Sequence, residues 1–402
     1  MDRAKRLRLL VVADVSPIER HGGSVRVIRE QCRRLVARGH DCMVLCREPW
    51  DHASARTYVD GVTVEHFRVN RKTPLAFFLS SITQARRVGS RLLANTSWDA
   101  IIFHQPLAAF ALGPIAASAA IPSLYFFHSP AGVEYQLRKG SGRSGWSVIL
   151  ARPILRWVER RALRRARRIA VLSDFSRQEL FKHHGPMKKE IVKIPGGVDL
   201  DRFRPADDRK AIRERLGLPS EGLLILTVRD LEYRMGLDNL ILAMEKVSRQ
   251  LPATLIIGGR GELQAPLEAL TRRLGLDRIV HFTGFIPEQD LPAYYQAADL
   301  FVLPTRALEG FGLVTAEALA SGTPVLGTPV GATPELLLPI HPDLVTEDAS
   351  PDALARGIQR FASSMPNEEL RKRCRAHAES SYDWDRVVDT LEEHLNAMIQ
   401  GS

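Results

Sequence analysis

The sequence predicts two α/β domains in tandem, each a parallel sheet covered by helices. Three observations lead there. The chain has 402 residues, more than one ordinary hydrophobic core serves. Short apolar runs alternate with helical patterns throughout, the βαβ rhythm of a parallel sheet. That rhythm restarts after Pro195-Gly196-Gly197, which sets a first domain at 1–194 and a second at 195–381.

In the first half, RLLVVADV reads as a buried opening strand. Its apolar core, Leu9 to Ala13, is too short for a signal peptide, and no small-residue cleavage site follows. SVRVIREQCRRLVARGH is helical in pattern, Gly39 punctuates a turn, and DCMVLC is the next strand. The stretch from Ala100 to Val133 lacks Asp, Glu, Lys and Arg, and it is longer than the roughly 20 residues that span a bilayer. Gly113, Pro114, Pro122 and Ser123 divide it, however, and His104 and His128 lie inside it. It therefore reads as a strand from Ala100 to Phe103, a helix, and a strand from Ser123 to Phe127, all packed in a core.

The segment ARPILRWVERRALRRARRIAVL carries eight arginines between Arg152 and Arg168, with Glu159 the only acid. Arg156, Arg160, Arg164 and Arg167 or Arg168 recur at helical spacing, opposite Ile154, Leu155, Val158 and Leu163. A basic amphipathic helix of this kind suits an anionic membrane surface or a phosphorylated lipid acceptor. The same pattern fits a solvated face that covers its own domain.

In the second half LLILTVRD, ATLIIGG, RIVHFTG, DLFVLP and TPVLGT read as strands separated by helical patterns. The C-terminal SSYDWDRVVDTLEEHLNAMIQ is an amphipathic helix over about 382–402. Periodicity leaves open whether it ends the second domain or crosses back to the first.

Hydrophobic content of 45% and charged content of 25% belong to a soluble globular protein. Charge divides unevenly: residues 1–190 hold 33 Lys and Arg against 15 Asp and Glu, a net +18, and the remainder 23 against 31, a net −8. A basic half suggests a polyanionic partner such as an anionic lipid or a phosphorylated substrate. No nucleic-acid module accompanies the charge, so nucleic acid is not expected. Cys32, Cys42, Cys46 and Cys374 form no metal-ligand spacing and read as the reduced thiols of a cytoplasmic protein, either free or peripheral on the inner face of the membrane.

The chemistry concentrates in EGFGLVTAEALASGTPVLGT, from Glu309. A strand ends at LFVLP, a loop follows, and a helix starts at about Leu313. The amides of Gly312, Leu313 and Val314 then form a helix start that suits phosphate. Gly310 and Gly312 let a ligand approach the backbone. Glu309 stands outside the helix and Glu317 about one turn inside, so that two acids flank a phosphate-binding start, as a nucleotide-sugar ligand would need. The plainer alternative is a helix with one dipole-complementing acid and one solvated acid.

This stretch resembles the retaining family 4 glycosyltransferases, and the resemblance covers nearly the whole chain. Its most specific element is Glu309-(seven residues)-Glu317. His21-Gly22-Gly23, FFHSP around His128, VLSDFSRQEL, IPGGVDLDRF and GFIPEQDLPAYYQAADLFVLP support it in order. The resemblance implies the GT-B architecture, two facing Rossmann-like domains with chemistry in the cleft. It places the acceptor on the N-terminal domain and the nucleotide sugar on the C-terminal one. By resemblance Glu309 and His128 meet the donor sugar and Glu317 holds the ribose. The loop Gly310, Phe311, Gly312 and the amides to Leu313 and Val314 take the diphosphate, which Gly22 and Gly23 border from the acceptor side. The readings that need no ligand are an ordinary turn for Gly22-Gly23 and a satisfied core histidine for His128.

The chain departs from the family at TVRDLEYRMGLDNL. Asp230 stands where members commonly carry a diphosphate-binding Arg, and Met235 where they carry a Lys. Arg229 and Arg234 are the substitutes at hand; failing them, the chain is a non-catalytic nucleotide- or glycan-binding relative. The expected partners are a nucleotide-sugar donor and a glycan or lipid-linked acceptor, with no cofactor and no essential metal. Asp199-Leu200-Asp201 and Asp383-Trp384-Asp385 match a DxD metal motif only by chance, and IIGGRGEL does not complete a dinucleotide fingerprint.

Overall fold

A computed structural model describes residues 6–19, 22–49, 54–138, 146–364 and 368–401, with the backbone alone at 138 and 146–150. The chain divides into two compact units. One comprises Met1–Pro195 with Trp384–Ser402, the other Gly196–Asp383.

The first unit holds eight strands: β1 (Arg8–Ala13), β2 (Asp41–Arg47), β3 (Arg56–Val59), β4 (Val62–Phe67), β5 (Ala100–Phe103), β6 (Ser123–Phe127), β7 (Arg168–Val171) and β8 (Glu190–Lys193). Their spatial order is β3-β4-β2-β1-β5-β6-β7-β8, parallel except for β3, which runs antiparallel to β4. β5 and β6 are buried at every position. Strands covered on both faces need this unbroken apolar run rather than alternation. The charge-free stretch therefore belongs to a core, with the helix Pro106–Ser118 between its two strands. Among the described residues no helix is long and apolar enough to cross a membrane.

Local signals set the helix starts. Thr73 accepts from the Ala76 amide ahead of Pro74, and Ser173 accepts from the Ser176 amide. Each satisfies a donor that the first turn leaves without a partner. The four cysteines are free and buried, and burial pushes the thiols of Cys32, Cys46 and Cys374 up to about 12. They are inert packing residues.

The helix Trp146–Arg165 departs from the amphipathic reading in one respect. Val158 and Leu163 are buried as the spacing requires, but Ile154 is 49% exposed. It shares the outer surface with Trp157 and the arginines. Glu159 does not break the basic face either. It is buried, accepting from His184 Nε2 at 2.9 Å and the Ala131 amide at 3.2 Å.

The helix Trp384–Gln400 belongs to the first unit. Its acids meet the basic helix Gly23–Ala37 and the turn after it. Arg38 reaches Asp389 at 2.7 Å and Glu392, and His40 Nε2 lies 2.6 Å from Glu392. The Arg34 guanidinium sits over the Trp384 ring. Part of the first half's positive charge is thus balanced by acids from the far end of the chain.

The second unit holds β9 (Leu223–Val228), β10 (Ala253–Gly258), β11 (Val280–Gly284), β12 (Leu300–Leu303) and β13 (Val325–Gly327). All are parallel, in the order β11-β10-β9-β12-β13. From β9 the chain first builds towards β10 and β11, then returns to add β12 on the other side. Such a reversal leaves a crevice at the carboxyl ends of the two central strands, where open α/β sheets bind ligands. In the first unit β1 and β5 make the equivalent switch point.

Candidate functional site

At the second unit's switch point, β9 delivers Arg229 and β12 delivers Thr305. Glu309 follows four residues later, before the helix Leu313–Ala320. Arg229 is buried, and its Nη2 donates to Glu309 Oε2 at 2.6 Å and to Thr305 Oγ1 at 3.3 Å. Thr305 Oγ1 in turn donates to the same carboxylate oxygen at 3.2 Å. Met235 Sδ lies 2.8 Å from Arg229 Nη2. A guanidinium and a hydroxyl therefore hold one carboxylate oxygen, and a thioether backs the guanidinium.

The backbone of Glu309 is fixed as firmly as its side chain. The Ala332 amide donates to its carbonyl at 2.8 Å. Gly331, at φ 67°, passes so close that a Cβ there would run into that carbonyl oxygen. Gly312 caps the helix at φ 86°, a conformation that favours glycine, and Thr315 donates back to its carbonyl at 2.9 Å. The amides that open the helix have no preceding turn to pair with, so they suit an anionic ligand.

The remaining predicted residues of this unit fall in different places. Glu317 lies one turn into the helix, is 1% exposed, and accepts from the Tyr295 hydroxyl at 3.0 Å. The Phe311 ring is a packing residue: it lies where a side chain at Gly196 would be and meets Tyr382 edge-on at 5.2 Å. Gly310, Leu313 and Val314 are half-buried along the loop and first turn. Arg234 ion-pairs with Glu232 at 3.3 Å and reaches the Leu308 carbonyl at 3.4 Å. Asp230 is exposed, while its neighbour Arg229 turns inward.

In the first unit, Gly22 caps the helix Gly23–Ala37 at φ 116°; His21 lies outside the described residues. His128 follows β6 and pairs with His104, which follows β5, with Nδ1 of His104 3.0 Å from Nε2 of His128. The His104 ring also stacks on Phe126 at 4.8 Å. Burial pushes His128 down to about 4 against the pull of Glu134. Burial, and then the neighbouring ring, hold His104 well below the ordinary histidine range. The pair is neutral at pH 7 and offers hydrogen bonds rather than charge. Asp14, after β1, accepts the amides of Leu107 and Ala108 at 2.9 Å each, and burial nonetheless holds its carboxyl above the usual range.

Sequence reasoning missed Thr305, Gly331, Tyr295, His104 and Asp14 as supports. Thr305 and Gly331 flank the run quoted from Glu309, but nothing in a linear pattern reveals which residue faces a carboxylate. Among the described residues no group of three His, Cys, Asp or Glu side chains is placed to hold a metal ion. The Asp199 of the first DxD accepts the Arg202 amide at 3.1 Å.

Residues 21–202 match the family described as Glycosyltransferase Family 4, and residues 208–381 match Glycosyl transferases group 1. The chain is 31% identical over 359 residues to a GDP-mannose-dependent alpha-(1-6)-phosphatidylinositol monomannoside mannosyltransferase of Mycolicibacterium smegmatis, covering 87% of each chain. It is 30% identical over 397 residues to the protein of the same name from Mycobacterium tuberculosis H37Rv, covering 96% of this chain and 97% of that one. Among solved structures, sucrose-phosphate synthase from Thermosynechococcus elongatus shares the fold at a TM-score of 0.85 and 22% identity, with 99% and 100% of the two chains covered. WaaG, a glycosyltransferase involved in lipopolysaccharide biosynthesis, does so at 0.74 and 19%, with 96% and 99% covered. The chain belongs to the GT-B glycosyltransferases of family 4, group 1. It is a nucleotide-sugar-dependent transferase.

Proposed function

We propose that this transferase works with retention. It takes a hexosyl group from a nucleoside-diphosphate sugar at the β9–β12 switch point and passes it to a lipid-linked or polysaccharide acceptor on the first unit. The observation that carries this is the meeting of a buried, anchored Glu309 with an open helix start in one crevice. GDP-mannose is the first donor to test, because both mannosyltransferase relatives depend on it.

In this reading the loop amides from Gly310 to Val314 take the diphosphate and Glu317 addresses the ribose. Arg229, Arg234 and Arg306 are already paired with Glu309, Glu232 and Asp238. The amides therefore carry the leaving group's developing charge, and losing one such donor costs ~3 kcal/mol. The bond from the anomeric carbon to the diphosphate oxygen breaks as an acceptor hydroxyl attacks from the same face. The hydroxyl proton passes to that oxygen. Glu309 faces the positive charge that develops on the sugar. No metal step is needed. Glu309 is not a covalent nucleophile in this scheme.

The acceptor side fits an anionic membrane. Trp157, 51% exposed, and Ile154 lie among Arg152, Arg156, Arg160, Arg161 and Arg164, all exposed, on the helix Trp146–Arg165. An apolar anchor ringed by arginines suits a lipid interface.

Thermal unfolding with UDP, GDP, ADP and dTDP, each with and without its common sugars, tests the donor site. A nucleotide at 100 times its dissociation constant adds ~2.7 kcal/mol. Stabilisation by one base, followed by transfer of its labelled sugar to phosphatidylinositol mannosides in vesicles, is the expected result. Stabilisation by none would overturn the reading.

A further inference from the structure

We propose that Arg229 is a positioning residue that sets the Glu309 carboxylate for sugar transfer, rather than a ligand of the diphosphate. This rests on the donor-site reading above and assigns a role within it.

One nitrogen of the guanidinium is committed. Its Nη2 is shared between Glu309 Oε2 at 2.6 Å, Thr305 Oγ1 at 3.3 Å and Met235 Sδ at 2.8 Å. Its Nε is buried and without a hydrogen-bond partner. Arg229 is buried, and its one bonded nitrogen, Nη2, is spent on a carboxylate that Thr305 grips as well. Glu309 has a second fixed point at its carbonyl, through the Ala332 amide. Carboxylate and backbone are thus pinned from opposite sides, and rotation of the side chain is what Arg229 and Thr305 prevent.

Met235 completes the device. A thioether accepts weakly from the guanidinium and adds no charge, whereas an ammonium in its place would repel Arg229 and drive it off Glu309. Arg229 and Met235 therefore act together.

The test compares Arg229→Gln, Arg229→Lys and Thr305→Val with the native chain. Each is measured for affinity towards the nucleoside diphosphate that stabilises the native protein and for kcat with the corresponding nucleotide sugar. If native protein binds no nucleotide, the donor-site reading fails before any variant is made, so the two failures are separate. The expected result is a fall in kcat of roughly 10²-fold for Arg229→Gln, as for a misplaced reacting group. Nucleotide affinity should stay within about threefold, and Arg229→Lys, which keeps the ion pair, should retain more activity. Thr305→Val preserves shape and charge if Arg229→Gln folds poorly, and it should lose roughly tenfold in kcat at unchanged affinity. Arg229→Gln placed on Glu309→Gln should add little further loss. Nucleotide affinity falling in step with kcat would make Arg229 a diphosphate ligand and overturn the proposal. So would an unchanged kcat in Thr305→Val, or additive losses in the double variant.

Discussion

Arg229 Nη2 lies 2.6 Å from Glu309 Oε2, and both side chains are buried. A buried pair of this kind contributes little over an apolar pair, yet breaking it is costly because one charge is left alone. Glu309→Ala should therefore destabilise the second unit by ~3–5 kcal/mol, while the double change Arg229→Met with Glu309→Leu should cost much less. Denaturant unfolding of the two variants beside the native chain decides this. If the single change proves no worse than the double, the pair is not isolated from water as the structure shows.

Glu317 and Tyr295 should separate binding from chemistry. Their hydrogen bond is 3.0 Å long and fully buried. Tyr295→Phe removes it at a cost of ~1 kcal/mol to stability. Glu317→Ala should weaken nucleotide binding while leaving kcat at saturating donor largely intact, whereas Glu309→Gln should do the reverse. Titration calorimetry alongside initial rates checks both. Equal losses from the two acids would remove the division of labour between them.

Gly331→Ala should impair turnover without touching any ligand. The position has φ 67° and sits against the Glu309 carbonyl, so a methyl group is strained and also pushes Glu309. The expected cost is ~1–3 kcal/mol, accompanied by a drop in kcat. Native stability with full activity in this variant would show that Glu309 tolerates movement.

The His104–His128 pair gives stability a pH dependence of known sign. Burial holds both below the free-histidine value of 6.5, His128 at about 4. The unfolded chain therefore takes up protons first as pH falls, and their contribution, complete above pH 6.5, is lost between about 6.5 and 4. Denaturation midpoints measured between pH 7 and pH 4.5 should decline, and His128→Asn should flatten that decline. An unchanged slope in the variant would place the titration elsewhere.

Vesicle sedimentation tests the basic helix. Native chain should bind phosphatidylglycerol vesicles more tightly than phosphatidylcholine vesicles, and added salt should weaken this. Trp157→Ala, or Arg156, Arg160 and Arg164 together changed to Glu, should reduce binding without altering nucleotide affinity. Equal binding to both lipids by all variants would leave this face as ordinary solvated surface.

The sequence alone determined the two α/β units, every strand named from its apolar runs, and the helix start at Leu313. Each of these depends on local pattern: buried parallel strands require unbroken apolar runs, and a glycine before an apolar helix marks its start. It also pointed to Glu309 and Glu317 as a pair worth explaining. Three matters were decided only by tertiary structure. The helix Trp384–Gln400 joins the first unit because Arg38 and His40, some 350 positions earlier, face its acids. Arg229 rather than Asp230 turns inward just after β9, and spacing does not say which of two neighbouring residues faces the interior. The supports of Glu309 come from separate strands and loops that only the β9–β12 reversal brings together. Periodicity records which residues are buried along one element; which residues meet across elements depends on how the sheet is ordered.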